Sequence, residues 1–195
     1  MKEEQESWVE AFGAPTAPKT AQIEGKGASQ QRGGFQPTLN FYHQNARGTG
    51  SALKIELHPA HDATAGSVMF VLAGQKSLAS REGDVVRQAT FDWPSAVIFK
   101  VDFGELAKMI AVLRGHVEAV NEGKGFLHKS ARGMVYIHFR QTTTPVEGFL
   151  LDVNRVRNAD EKTRLSFLFT ADEALGLELA LSASMRLVAF GARGF

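Results

Sequence analysis

From residue 35 onward, apolar and polar residues alternate. Leu53, Ile55 and Leu57 are interleaved with Lys54, Glu56 and His58, the period-two pattern of a strand with one wet face. Residues 66–72 are a more continuous apolar run, followed by the turn-like Ala73-Gly74-Gln75-Lys76. Residues 85–91 and 96–101 predict two further strands, with Pro94 confined to the turn between them. Val97, Phe99 and Val101 share one face. The period then lengthens, and Leu106, Met109, Ile110, Leu113 and Val117 recur at helical spacing. Asp102 and Glu105 stand three apart, the reciprocal capping pair that satisfies two orphan N–H groups. Gly115 ends or bends this helix, and residues 121–125 form a turn cluster.

The second half runs the same programme. Val135, Ile137 and Phe139 alternate with Tyr136, His138 and Arg140. Residues 148–156 predict another strand, and Leu165, Phe167 and Phe169 a third. Helical spacing returns from Ala171 to about Phe190, entered through Thr170 and Glu173, a second capping box. Ala-Arg-Gly occurs twice, at 46–48 and 131–133, opening the first strand read in each half. Aligning Asp102 with Thr170 also aligns Phe99 with Phe167 and Glu105 with Glu173. The expected fold is therefore α+β: two repeats of antiparallel strands followed by one helix, the first longer by an excess around 58–95.

Two stretches break this rhythm. Residues 1–34 are rich in Ala, Gln, Gly, Pro, Ser and Thr, and after Phe12 their only large aliphatic residue is Ile23. They predict a flexible tail ahead of one domain over 35–195. Trp8, Val9 and Phe12 are either a few sticky residues or a docking peptide for a protein partner. The last helix is apolar nearly all round, apart from Glu178, Ser182, Ser184 and Arg186. A helix on a sheet needs one apolar stripe. This one is either sandwiched between its sheet and the first helix or lines the centre of a symmetric oligomer.

Composition narrows the chemistry. The 195 residues hold 22 Lys+Arg against 21 Asp+Glu, a formal charge of +1. An anionic partner must be held by a local basic patch, not by bulk charge. Cysteine is absent, which excludes disulfides, thiolate metal sites and Cys nucleophiles. No apolar run reaches the ~18–20 residues that span a bilayer. The start, with four glutamates in ten residues, resembles neither a signal nor a transit peptide, so a cytoplasmic or nucleoid location is expected.

Binding single strands without reading sequence needs cations along the phosphates and flat side chains under the bases. A wet sheet face offers both at fixed spacing. Lys54, Lys100, Tyr136, His138 and Arg140 fall on predicted polar faces. Arg47, Lys76, Arg87, Lys129 and Arg132 fall near strand ends or turns. Tyr136, His138 and Arg140 form the best cluster, unless Arg140 merely pairs with a carboxylate. Trp93, at a turn, is a core plug or a stacking platform. An enzyme reading has less to rest on. His58, His61 and Asp62 could begin a metal site, but zinc wants three or four ligands, and no cofactor fingerprint or nucleophile motif is present. A scaffold protein without nucleic-acid affinity is a third reading.

The order of these features resembles the Whirly family of single-stranded nucleic-acid-binding proteins. Its wider superfamily includes positive cofactor four and the mitochondrial guide-RNA-binding proteins. Arg47-Gly48 followed by Ser51-Ala52-Leu53 is similar to that family's basic-Gly-basic-Ala-Ala-Leu-Ser strand, with Thr49 at the second basic position. Phe91-Asp92-Trp93 resembles its Tyr-Asp-Trp, also set before a strand and a capped helix. The similarity spans roughly residues 38–190. It implies a non-catalytic protein binding single-stranded DNA or RNA, acting in DNA maintenance or transcription. It also implies a homotetramer built around the last helix, with no cofactor and no metal.

Overall fold

The computed structural model describes residues 38–61, 64–131, 133–144, 146–158 and 161–191. The tail over 1–34, with its Trp8–Phe12 segment, lies outside the described residues, as do Arg132 and Asp62.

The first repeat contributes β1 (Thr38–His43), β2 (Ser51–His58), β3 (Ser67–Ser77), β4 (Ser80–Glu82), β5 (Val85–Arg87), β6 (Thr90–Phe91), β7 (Val97–Val101) and α1 (Phe103–Leu113). The second contributes β8 (Phe126–Ser130), β9 (Gly133–Thr142), β10 (Gly148–Val156), β11 (Lys162–Phe169) and α2 (Ala171–Phe190). Strands β1-β2-β3-β7 form one antiparallel sheet, with β6 on the end of β3; β8-β9-β10-β11 form the other. Each half is thus a four-strand meander followed by a helix. The excess of the first half is a loop after β2 and the segment between β3 and β7.

Three expectations change in detail. Residues 85–91 are not one strand. Val85–Arg87 pairs with β4 in a small hairpin, while Thr90–Phe91 pairs with β3, where the register shifts between Gln75 and Ser77. A shifted ladder cannot continue one straight partner. The Ala-Arg-Gly tripeptides precede β2 and β9, the second strand of each meander. The first strands, β1 and β8, are additional, and too short to declare a period in the sequence.

Both helix entries carry complete capping boxes. The acidic partner in each does a second job. Glu105 Oε2 accepts from the Asp102 N–H, and its Oε1 lies 2.7 Å from His128 Nε2 on β8. Glu173 Oε2 accepts from the Thr170 N–H, and its Oε1 lies 2.7 Å from His43 Nε2 on β1. The strand registers make His43 and His128 equivalent positions. Each helix is therefore bonded to the first strand of the opposite repeat, and the duplication becomes a swapped pair of contacts. The Glu105 bond holds the His128 imidazole above its ordinary pKa, against the opposing effect of burial.

One core joins everything. Phe70 and Phe99 from the first sheet, Phe139, Phe167 and Phe169 from the second, and Leu106 and Leu177 from the helices are all buried in it. Phe41 packs edge-on to Phe169 at 5.3 Å, an arrangement aromatic quadrupoles favour. The helices touch each other through Arg114, which donates to Glu178 and Ser182. Hydrogen bonds from Ser182 and then Arg114 hold the Glu178 carboxyl below its usual range. The connection after β2 closes the end of α2. Ala60 N–H donates at 2.9 Å to Leu187 O, which the Gly191 N–H also reaches, and Gly66 N–H donates at 3.2 Å to Val188 O, a carbonyl that the helix end leaves open. A Cβ at Gly66 would sit 2.7 Å from Val188 Cα.

The last helix is only partly sandwiched. It buries Ala174, Leu177, Leu181 and Val188. Leu175, Leu179 and Phe190, on another side, are 61%, 60% and 73% exposed. No helix among the described residues is long and apolar enough to cross a membrane.

Candidate nucleic-acid interface

Because Val135, Ile137 and Phe139 turn inward, Met134, Tyr136, His138 and Arg140 turn outward. Register extends that logic across the sheet. Lys129, Met134, Val156 and Lys162 form one outer row; Leu127, Tyr136, Asn154 and Arg164 the next. His138, Asp152 and Ser166 form a third, and Arg140, Leu150 and Leu168 a fourth. The face thus carries Lys129, Arg140, Lys162 and Arg164 around one aromatic ring. Its only carboxylate among the described residues is Asp152.

That carboxylate is already engaged. Asp152 Oδ1 accepts from Ser166 Oγ at 2.6 Å, and its Oδ2 lies 3.9 Å from Arg140 Nη2. The Arg140 pair is long and half-exposed, a geometry worth well under about 1 kcal/mol. His138 Nδ1 lies 3.3 Å from Gly123 O. That oxygen belongs to a short 3-10 turn, Val120–Gly123, in which Asn121 and Glu122 adopt left-handed φ. Asn121 is held there by Lys108 and by Gly125 O. Tyr136 is half-buried, its hydroxyl 3.8 Å from Met134 Sδ.

The outer face of the first sheet differs. Its rows read Thr38-Glu56-Met69-Lys100, Asn40-Lys54-Val71-Ile98 and Tyr42-Ala52-Ala73. Lys54 Nζ sits 2.7 Å from Glu56 Oε1, and His58 Nε2 lies 3.6 Å from Oε2. The Lys54 hydrogen bond leads the effects that keep the Glu56 carboxyl below its usual range. Lys54 is therefore already neutralised, and Lys100 is the exposed cation on this face. Beyond the small Ala52 and Ala73, a groove of about 570 Å³ opens between Tyr42, Gln44, Gln88, Ala89, Thr90, Phe91 and Trp93. Trp93 is 36% exposed and Tyr42 57%. Trp93 is thus not a core plug. Arg155, at the inner end of β10, donates to Ser95 O, Ala96 O and Thr163 Oγ1, and so anchors the Trp93–Ser95 turn. Burial lowers the pKa of its guanidinium.

Lys129, Tyr136, His138 and Arg140 are therefore brought onto one face, and Lys54 and Lys100 onto another. Arg47, in the β1–β2 turn, Lys76, at the end of β3, and Arg87, in the hairpin, are exposed but belong to neither set of rows. Lys162, Arg164 and Asn154 share this face, though the sequence pattern alone did not single them out. The signal was present: Leu165, Phe167 and Phe169 face the core, so their neighbours must face out. No three potential metal ligands gather among the described residues; His43 and His128 are bonded to glutamates, and His58 faces Glu56.

No protein-family profile matches the sequence, and no curated protein does. Solved structures do match. A crystal structure of WHY3 from Arabidopsis thaliana superposes with a TM-score of 0.64 at 14% identity, covering 81% of this chain and 91% of that one. WHY1 from the same plant gives 0.60 at 12% identity, covering 80% and 86%. The trypanosome MRP1/MRP2 structure gives 0.55 at 20% identity, covering 80% and 88%. The first two are Whirly proteins. The fold of this chain is Whirly-like.

Proposed function

We propose that this protein binds single-stranded DNA or RNA without catalysis and with little sequence preference, through the outer face of the second sheet. The observation that carries this reading is the face itself. Lys129, Arg140, Lys162 and Arg164 share with Tyr136 an outer sheet face that has one carboxylate among the described residues, already engaged by Ser166. Such a surface gives phosphates four cations and bases a ring to stack on. The Whirly-like fold supports the reading. So does a further structure sharing the fold, that of the plant transcriptional regulator PBF-2, which matches with a TM-score of 0.56 at 13% identity. A role in DNA maintenance or transcription, in cytoplasm or nucleoid, belongs to the same proposal. Lys54, Lys100, Lys76, Arg47, Arg87 and Arg132 are assigned weaker, peripheral contacts.

Fluorescence anisotropy with labelled oligothymidine, with duplex as competitor, tests the proposal. Binding should favour the single strand and weaken steeply with salt, because phosphate contacts release counterions. Equal affinity for duplex, or no binding at low salt, overturns it. The exposed row Leu175, Leu179 and Phe190 supports self-association through α2 into a homotetramer. Light scattering should then give four copies, and Leu175→Glu with Leu179→Glu should give one; a wild-type monomer removes the tetramer. Oligomers without nucleic-acid affinity would favour the scaffold reading.

A further inference from the structure

We propose that the groove between Tyr42, Phe91 and Trp93 is a receptacle for an unpaired nucleobase, separate from the cationic face of the second sheet. The inference rests on the single-strand reading above and adds a second site to it.

The rings form a chain. Tyr42 and Phe91 centroids are 5.7 Å apart, and Phe91 and Trp93 centroids 6.4 Å. The two outer rings are the exposed ones, so each has aromatic surface left to cover. The supply of polar groups is unusual for an apolar groove. The Tyr42 hydroxyl, the Trp93 indole N–H and the carboxamides of Gln44 and Gln88 line it or border it, and none has a hydrogen-bond partner among the described residues. Only Thr90 is spent, on Ser77. Together they offer donors and acceptors in both senses.

That combination selects the occupant. An aromatic peptide side chain would cover the rings but carries no row of donors and acceptors along the ring edge, so only its backbone could reach the two carboxamides. A nucleobase covers the rings and brings a polar edge to the amides. No lining residue is charged, so the site has nothing to hold a phosphate with. A carboxamide can present either its oxygen or its nitrogen, so the groove suits any of the bases. The geometry is built in. The groove exists because the first repeat has an extra segment between β3 and β7, and because Arg155 ties down the turn that carries Trp93.

The experiment uses the full chain with Trp8→Phe, leaving Trp93 as the single indole. Labelled oligothymidine is titrated while anisotropy reports binding and indole emission reports the groove. We expect both to respond together. Trp93→Ala, and independently Tyr42→Ala, should weaken oligothymidine binding about 5- to 150-fold, as expected for one lost stack. The salt dependence should stay unchanged, because no phosphate contact is removed. Neither change should affect binding of an abasic deoxyribose-phosphate chain of the same length. Circular dichroism checks that both variants fold. If anisotropy rises while Trp93 emission stays constant, the groove inference is wrong and the single-strand reading stands. If anisotropy does not rise, both are wrong. If a peptide of residues 6–12 quenches Trp93 and oligothymidine does not, the groove is a peptide site and the inference is overturned.

Discussion

Where the outer row of β2 carries a buried Ala52 followed by Lys54 and Glu56, the equivalent row of β9 carries Tyr136, His138 and Arg140. Where β3 and β7 present Val71 and Ile98, β10 and β11 present Asp152 and Ser166. On the buried side the pairs are nearly the same. Phe99 matches Phe167, Leu53 matches Ile137, and the His–Glu contacts are 2.7 Å in both. The two repeats agree in their interior and differ on their surface. Packing and helix entry constrain the inside of such a duplication, whereas the outside is free to specialise. One face is cationic; the other pairs Lys54 with Glu56 and is small and apolar only at Ala52 and Ala73, beside an aromatic margin.

The largest test of that comparison concerns the shared interior. Phe99→Ala and Phe167→Ala should each cost about 3–5 kcal/mol in chemical denaturation. Both should lower a single transition. Two separate transitions would mean that the repeats are independent units, which the shared core argues against. The surface comes next. Arg140→Ala combined with Arg164→Ala should lower the magnitude of the log-affinity versus log-salt slope by about 1.4, at roughly 0.7 per phosphate contact. Lys54→Ala should barely move it, because Glu56 already neutralises that lysine. Equal effects on the two faces would erase the distinction between them.

A subtler test uses pH. The Glu105 contact raises the His128 pKa in the folded protein, so the folded state holds the proton more tightly. The resulting stabilisation is fully present below the unfolded value and is lost as pH rises through the folded one. The stability difference between wild type and His128→Gln should therefore be largest in mild acid and shrink toward neutrality and above, with a maximum of about 1 kcal/mol. Denaturation midpoints measured across that range would show it. The smallest effect is expected at Glu178, whose depressed pKa gives the opposite sign. Its contribution is present above the unfolded carboxyl value and lost as pH falls. Glu178→Gln should narrow the gap to wild type only in strong acid.

Much of this architecture could be read from residue order. Both capping boxes, the pairing of Phe99 with Phe167 and the extent of the last helix follow from short-range chemistry that a linear pattern records. The short strands β1 and β8 do not, because five or six residues barely register a period. The break at Gln88-Ala89 was hidden as well, since the valines before it look like strand whether or not a partner is present. Long-range partnerships were invisible for a different reason. Glu105 and Glu173 read as caps, and only the folded chain shows each also holding a histidine from the other repeat. Arg164 illustrates the middle case: its outward direction was implied by its neighbours, but its place in the row of Tyr136, across Asn154, depends on register across two strand pairs.

The exchanged contacts bear on how the molecule must be made. His43 waits for a glutamate 130 positions further along, and Ala60 and Gly66 wait for carbonyls near the end of α2. A ribosome delivers the first meander long before these partners exist. Long-range closure of this kind slows folding. A nascent chain halted after α1 should therefore remain open to protease, and both halves should lock only once α2 has been made.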